Sequence, residues 1–146
     1  MKSLKKLYAL KSGQRTILFQ AGVLLCVTRI WLWARGLQRT RRFLRRIEPL
    51  FTLPAQVTVQ QITAMVVCAA RRCPLGSTCL TRALTAHLLL GRSGYESRLC
   101  IGVARGEQGN FEAHAWLESN QQVILGGTEE DVNRYLPFDR VDELTV

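Results

Sequence analysis

The chain has 146 residues, enough for one compact domain with an added helical segment. Hydrophobic residues make up 47% of it and charged residues 21%, which excludes an intrinsically disordered chain. The net charge of +9 is concentrated near the N-terminus, because residues 1–50 have a balance of +11 and residues 51–146 a balance of −2. This asymmetry predicts either an acidic partner for the basic part or a basic helix face in solvent.

The N-terminal third is predicted to be helical. Residues 15–47 are rich in Leu, Ala, Arg and Gln and contain no proline, although the helix is expected to break near Gly36. A proline-bounded linker follows this segment. We therefore predict a basic, apolar helical arm with its linker at residues 1–54 and a second domain at residues 55–146.

The apolar stretch of this helix, residues 17–34, is near the shortest length that crosses a bilayer. It contains Gln20 and Arg29, which are costly in a membrane interior. A buried or interfacial helix therefore fits better than a transmembrane one. If the helix contacts a membrane surface, Trp31 and Trp33 are the expected anchors.

Two shorter helices and a sheet are predicted next. Apolar spacing indicates a helix over residues 56–72, and a Pro-Gly-Ser turn separates it from a helix over residues 78–92 that ends at Gly94. Alternating apolar residues then predict a small antiparallel sheet, and acidic residues 129–131 lead into a short tail. The strands are expected at residues 98–103, 111–118 and 122–125. Helices followed by strands indicate the α+β fold class.

The cysteine content bears on the compartment and on metal binding. Five cysteines are an odd number, and no cleavable signal peptide is evident, so we expect free thiols in a reducing cytoplasm. Cys68, Cys73 and Cys79 lack the paired spacing of a zinc site, and no metal is expected. The basic arm contains no recognisable nucleic-acid-binding module, so a nucleic-acid partner is not expected either.

Cys79 is the candidate nucleophile. It lies in the opening turn of the third helix, where unpaired amide groups and the positive end of the helix dipole favour a thiolate. The same amides can hold a developing oxyanion. Cys26 and Cys68 lie on apolar helix faces and are interpreted as small buried hydrophobic residues.

A thiol nucleophile needs a general base, and the chain contains two histidines. His87 is eight residues along the same helix, about 12 Å from Cys79 at ~1.5 Å rise per residue, and cannot reach it. His114 is in the middle of a strand, on the face that also carries Trp116. A sheet packed on the helix start would bring His114 close to Cys79, so these two form the one feasible catalytic pair. The alternative is a structural histidine packed beside Trp116.

The group that would orient His114 stays open at this stage. If a tight turn joins the second and third strands, Gly126 or Gly127 lies opposite His114, where an orienting Asp would be expected. Glu118 is about 13 Å away along the strand at ~3.3 Å per residue, which is too far. An acid among residues 129–131, a backbone carbonyl, or an Asn or Gln side chain remain as alternatives.

Four segments together resemble one known family. They read STCLTRALTAHLLLGRSGYESRLCIGV, FEAHAWLE, VILGG and DVNRYLPF. They are similar to the leader-peptide proteases of lasso-peptide biosynthesis, the stand-alone protease half of microcin-J25-processing-type proteins in the transglutaminase-like superfamily. The earlier segment QRTILFQAGVLLCVTRIWLWARGL is also similar to that family's apolar N-terminal helix, so the resemblance covers about residues 14–138. It implies a papain-like core, with a catalytic helix packed on a small antiparallel sheet. It implies Cys79 as nucleophile and His114 as base, while the Asp of some members falls at Gly126 and is not carried over.

The resemblance also implies an activity and partners. The chain would be a cytoplasmic cysteine protease that removes the leader from a ribosomally made lasso-peptide precursor and releases the core with a free amine. It would act with a separate small leader-peptide-binding protein and would supply an ATP-dependent macrolactam synthetase. No cofactor is required for this reaction.

Two other function classes are compatible with the sequence. A Cys-His acyltransferase or transamidase of the same fold would share the chemistry but would transfer the acyl group to an amine, and the product mass would reveal it. A non-enzymatic basic adaptor would use the N-terminal arm to bind a membrane surface or a partner protein. Recovery in the membrane fraction without turnover would support the adaptor.

Overall fold

The computed structural model describes residues 12–138 and has the α+β architecture that the sequence predicts. Three long helices precede a four-stranded antiparallel sheet, and a short helix lies between its last two strands in the chain. The helices are α1 (Ser12–Ile47), α2 (Val59–Ala70), α3 (Cys79–Arg92) and α4 (Glu129–Asn133). The strands are β1 (Arg98–Arg105), β2 (Phe111–Ser119), β3 (Gln122–Leu125) and β4 (Leu136–Phe138).

The first helix is interrupted once, at the predicted position. Gly36 has φ 73° and ψ 177°, which lie outside the helical region, so α1 changes direction there. Beyond the kink, the ring of Phe43 stacks on Trp31 with centroids 4.0 Å apart. This contact holds the two halves of the helix against each other.

One hydrophobic core joins the three long helices to the sheet. α3 has eight buried residues among its fourteen and packs against α1, α2 and β2, so it is the central element. Ala115 and Leu117 close the core from the β2 side. The face that α1 contributes follows three- and four-residue spacing, and its buried apolar members include Ile17, Ala21, Leu24 and Leu25.

The sheet has the strand order β3-β2-β1-β4. The β2–β3 hairpin turns through Asn120 and Gln121, whose positive φ values of 50° and 63° match a type I′ turn. Residues 129–131 were expected to lead into a tail, but they form α4, because Thr128 and Asp131 make a capping box at its start. β4 then pairs antiparallel with β1 and gives the sheet a fourth strand that the sequence did not predict.

Replacing Leu24 by Ala should lower the free energy of unfolding by about 2–5 kcal/mol, because this fully buried side chain would leave a cavity. Phe19→Ala on the same helix is the matched control. Its side chain is 74% exposed, and we expect a change within about 0.5 kcal/mol. Denaturant unfolding followed by circular dichroism measures both variants.

The same experiment tests the predicted division near residue 54. A single cooperative transition that shifts with Leu24→Ala would show that α1 folds together with the rest of the chain. A separate transition whose midpoint is unchanged by this substitution would show that residues 55–146 fold independently of the arm.

Candidate active site

Local interactions determine where α3 begins. Thr78 is its N-cap, and the Thr78 hydroxyl accepts a hydrogen bond from the amide of Thr81 at 3.2 Å. A turn precedes the cap, closed by a 3.1 Å bond from the amide of Gly76 to the carbonyl of Cys73. Gly76 has φ 69°, which favours glycine. The turn and the cap together place Cys79 at the first helical position, as the sequence predicts.

The start of α3 keeps two backbone donors available. The first amides of a helix have no partner within the helix, and here the cap accepts only that of Thr81. Within residues 12–138, no hydrogen bond uses the amide of Cys79 or of Leu80. Cys79 is half-buried and packs against the hydrophobic core. A thiolate or an oxyanion at this point would meet the positive end of a fourteen-residue helix.

His114 is half-buried in the middle of β2, as predicted. Its partner in β1 is Gly102, which leaves room for aromatic rings on this face of the sheet. A Cβ at position 102 would lie 2.9 Å from Cβ of Tyr135 and 3.1 Å from the ring of Trp116. The imidazole centroid is 5.1 Å from that of Tyr135 and 6.2 Å from that of Trp116. These two rings restrict the position of the imidazole.

The backbone carbonyl of Gly126 orients the ring of His114. Nε2 of His114 is hydrogen-bonded to this oxygen. Because a carbonyl oxygen can only accept, Nε2 carries the proton in the neutral ring and Nδ1 keeps a lone pair. Among the alternatives that the sequence left open, the backbone carbonyl is therefore the group that bonds the histidine. Nδ1 is the nitrogen that can take a proton from a thiol.

Position 126 has no room for an aspartate. Gly126 has φ 104°, and an added Cβ would lie 2.7 Å from Cβ and 2.9 Å from Cα of Trp116. Any side chain would therefore push this segment away from β2. The register also differs from the expected one, since Leu117 pairs with Leu125 and Gly126 consequently lies beside Trp116 rather than opposite His114.

Asp131 brings a negative charge into the electrostatic neighbourhood of His114. Its carboxylate accepts hydrogen bonds of 2.8 Å from the amide and the hydroxyl of Thr128. These two bonds, followed by the positive charge of Arg134 and an electrostatic interaction with His114, hold the pKa of Asp131 below its usual value. Of the acidic residues 129–131, Asp131 thus interacts electrostatically with the imidazole of His114. The hydrogen-bond partner of that ring is the carbonyl of Gly126.

The two candidate catalytic residues lie on elements that pack together, α3 and β2. No hydrogen bond joins Cys79 to His114 in the part of the chain that the structure describes. The β2 residues in the helical core are Ala115 and Leu117, whereas His114 shares its face of the strand with Trp116. The pairing of Cys79 with His114 therefore stays a prediction.

The second histidine has a different environment. Nδ1 of His87 lies 2.8 Å from Oγ of Ser97, in the connection between α3 and β1. His87 also lines a cavity of about 180 Å³, whose other walls include Arg41 and Glu48. It is two helical turns from the start of α3, in the C-terminal half of that helix.

The remaining cysteines have no comparable position at a helix start. Sγ of Cys26 lies 3.7 Å from Sγ of Cys73, and burial, then the neighbouring thiol, raise the pKa of Cys26. Cys68 accepts a hydrogen bond of 2.8 Å from the guanidinium of Arg72. Burial, followed by the charge of a nearby glutamate, raises the pKa of Cys100. Within residues 12–138, no cluster of three His, Cys, Asp or Glu side chains is arranged to hold a metal ion.

The sequence of residues 22–139 matches the transglutaminase-like superfamily. Because this region is most of the chain, the protein belongs to that superfamily, whose fold supports cysteine-based proteases and acyltransferases. The matched region begins inside α1 and ends one residue after β4. The chain has no detectable match among curated proteins or among solved structures.

Gly126→Ala should disturb the bond that orients His114, because the new methyl group collides with Trp116 and the carbonyl must move. Long-range ¹H–¹⁵N NMR of the His114 ring should show the Nε2–H tautomer in the unmodified protein and a mixture of tautomers in the variant. We also expect the free energy of unfolding to fall by about 1–3 kcal/mol.

Gly109→Ala is the matched control for this prediction. Gly109 also has positive φ, 79°, but nothing lies within 4 Å of an added Cβ. This variant should be strained in its backbone without affecting the imidazole of His114. An unchanged His114 spectrum in Gly126→Ala would contradict the role of the Gly126 carbonyl.

Proposed function

We propose that this protein is a cysteine protease that removes the leader peptide from a ribosomally made lasso-peptide precursor before macrolactam formation. The observation that carries the proposal is the start of α3, where Cys79 is half-buried at the first helical position beside two available amides. The oriented imidazole of His114 supplies a candidate base on the adjacent strand. The lasso-peptide assignment rests on the resemblance of the Cys-Leu helix and the His-Ala-Trp strand to proteases of that pathway.

In the proposed reaction, Nδ1 of His114 takes the proton of the Cys79 thiol. Nε2 stays bonded to the carbonyl of Gly126, so the ring can accept this proton without turning. The sulfur then attacks the carbonyl carbon at the leader–core junction, and the amides of Cys79 and Leu80 stabilise the oxyanion. The imidazolium gives its proton to the leaving amine, and the core peptide departs.

The second half of the reaction releases the leader. His114 removes a proton from water, which attacks the thioester between Cys79 and the C-terminal carbonyl of the leader. The tetrahedral intermediate collapses, the thiolate leaves, and it takes a proton from the imidazolium. The released core has a free amine, the nucleophile that an ATP-dependent macrolactam synthetase requires.

This mechanism needs Cys79 and His114 to approach each other. Catalytic hydrogen bonds are often long or unformed in the absence of substrate and tighten when it binds. The segment from Cys73 to Thr78 connects α2 to the start of α3, and its turn contains Gly76 in a left-handed conformation. Because His114 lies on the face of β2 that does not contact the helical core, the proposed reaction requires the start of α3 and the edge of the sheet to rearrange when substrate binds.

An open groove near one edge of the sheet is a candidate binding surface for a peptide substrate. It lies between α2 and β3, has a volume of about 750 Å³, and includes Arg71 and Arg72 in its walls. β3 is an edge strand, so its outer backbone groups can pair with an extended peptide. In the chain, Leu125 of one wall precedes Gly126 and Arg72 of the other precedes the turn before Cys79, although neither Cys79 nor His114 lines the groove.

The proposal includes partners and a compartment. A separate small leader-peptide-binding protein would present the precursor, and the macrolactam synthetase would consume the product, all in the cytoplasm. The support for these partners is the family resemblance. The chemistry of the candidate residues uses no cofactor.

Incubation of the precursor and its leader-binding protein with this chain should give one cleavage site by mass spectrometry. Cys79→Ala and His114→Ala should each lower the rate by more than about 10³-fold, because each removes an essential partner of the same step. Cys100→Ser and His87→Gln are the matched controls, and they should retain the rate if they fold. Equal cleavage by all variants, or none by the unmodified protein on a verified precursor, would overturn the proposal.

Asp131→Asn should lower kcat by less than about tenfold, because it removes a negative charge near the imidazolium and leaves the carbonyl of Gly126 in place. The amide oxygen of Asn can still accept the capping bonds from Thr128, so α4 should persist. Rates measured as a function of salt provide the check. A loss as large as that of His114→Ala would show that Asp131 has a more direct role.

A transamidase is the second candidate, because the superfamily typically includes transglutaminases as well as cysteine peptidases. Both activities form the same thioester at Cys79 and differ only in the group that attacks it. Reaction in ¹⁸O-labelled water with an added primary amine distinguishes them. A protease gives a leader with one ¹⁸O atom at its new carboxylate, whereas a transamidase gives the leader amide of the added amine.

A further inference from the structure

α1 is apolar on two sides, and one of them is packed against α2 and α3. The opposite side is open to solvent. Its large apolar side chains, which we call the outer apolar stripe, have three-, four- and seven-residue spacing and lie one above another on the helix. The stripe consists of Phe19, Val23, Ile30 and Trp33, with exposed fractions of 74%, 41%, 53% and 88%. A contiguous exposed stripe of this kind is typical of a binding surface.

The surroundings of the stripe are positively charged. α1 contains eight arginines and no acidic residue. Arg15 lies near one end of the stripe, and most of the others lie beyond Trp33, after the kink at Gly36. The occupant of this surface should therefore be apolar where it meets the stripe and anionic where it meets the arginines.

The dimensions of α1 point to the same kind of occupant. The segment Ser12–Leu50 is long and apolar enough to cross a membrane by length and composition. A crossing would, however, remove Leu24 and Leu25 from the core with α2 and α3. A helix that lies flat in the membrane interface keeps its packed side on the protein and buries its open side in lipid. Trp33, almost fully exposed, is the residue type that membrane–water interfaces favour.

We propose that α1 docks the protein flat on an anionic lipid surface through the outer apolar stripe. Phe19, Ile30 and Trp33 enter the boundary between headgroups and acyl chains, while the arginines after Gly36 lie at the level of the phosphates. Leu50 extends the apolar surface, since it lines the same hollow as Arg15 and Phe19. A protein partner is the other class of occupant. The absence of any acid on α1, and hence of mixed charge pairs, favours lipid.

The full chain should sediment with vesicles of phosphatidylcholine and phosphatidylglycerol, and should not sediment with pure phosphatidylcholine. The double variant Phe19→Ser, Trp33→Ser should bind anionic vesicles at least about tenfold more weakly, because it removes the two most exposed aromatic rings of the stripe. Phe111→Ser is the matched control, since Phe111 is 78% exposed on β2, and it should bind like the unmodified protein. These side chains are exposed, so the variants should fold.

Brominated lipids provide a second readout, which separates insertion from adsorption by arginines alone. They should quench the tryptophan fluorescence of the unmodified protein, and Trp33→Phe should lose most of that quenching, because Trp116 is only 4% exposed and Trp31 is half-buried against the ring of Phe43. No sedimentation with anionic vesicles, equal binding by the double variant, or quenching that survives Trp33→Phe would each overturn the proposal. In those cases the stripe would belong to a protein partner. Lipid binding is measured without substrate, so its outcome does not depend on the protease assignment.

Discussion

The burial of α3 is the constraint on which the other elements depend. Leu89 and Leu90 are fully buried, while Ala83 and Ala86 let neighbouring elements approach closely. α1 and α2 cover this helix from one side and β2 from the other. The buried residues of this helix begin at Thr81, so the core fixes the position of its axis. The position of Cys79 is therefore a property of the whole core and of the Thr78 cap together.

The environment of His114 depends on an unusually close approach of two backbone segments. Gly126 lies against Cα of Trp116, closer than any side chain at position 126 would allow. The indole of Trp116 is held in turn by a 2.9 Å hydrogen bond from Nε1 to Glu118, which also bonds Arg98 at 3.0 Å. This packing keeps the carbonyl of Gly126 within hydrogen-bonding reach of the imidazole. A neutral dipole thus occupies the role that a carboxylate has in a Ser-His-Asp arrangement.

α1 connects the candidate active site to the outside of the molecule. Its packed face shares one core with α3, and its open face carries the outer apolar stripe among arginines. If the stripe lies on lipid, the core and the sheet are placed next to the membrane surface, and the proposed reaction would take place there. The family match begins inside this helix, so most of α1 belongs to the family fold, and the same helix carries the exposed stripe.

The sequence by itself determined most of what depends on local interactions. The break at Gly36, the start of α3 at Cys79 and the position of His114 in a strand follow from backbone freedom, capping and alternation. β4 was missed because three residues are too few to show alternation, and its hydrogen bonds come from β1. The sequence contains the Thr128–Asp131 capping box of α4, but the acidic residues 129–131 were interpreted as the start of a tail.

Only the tertiary structure decided which group orients His114. Every residue has a backbone carbonyl, so no residue type marks the carbonyl of Gly126 as a partner for the imidazole. The same applies to the open face of α1, because an apolar residue is equally compatible with the core and with an outer surface until the packing is known. Local patterns determine which elements form, whereas contacts between distant elements determine which faces meet. Whether Cys79 meets His114 belongs to this second category, since it depends on how α3 is placed against β2.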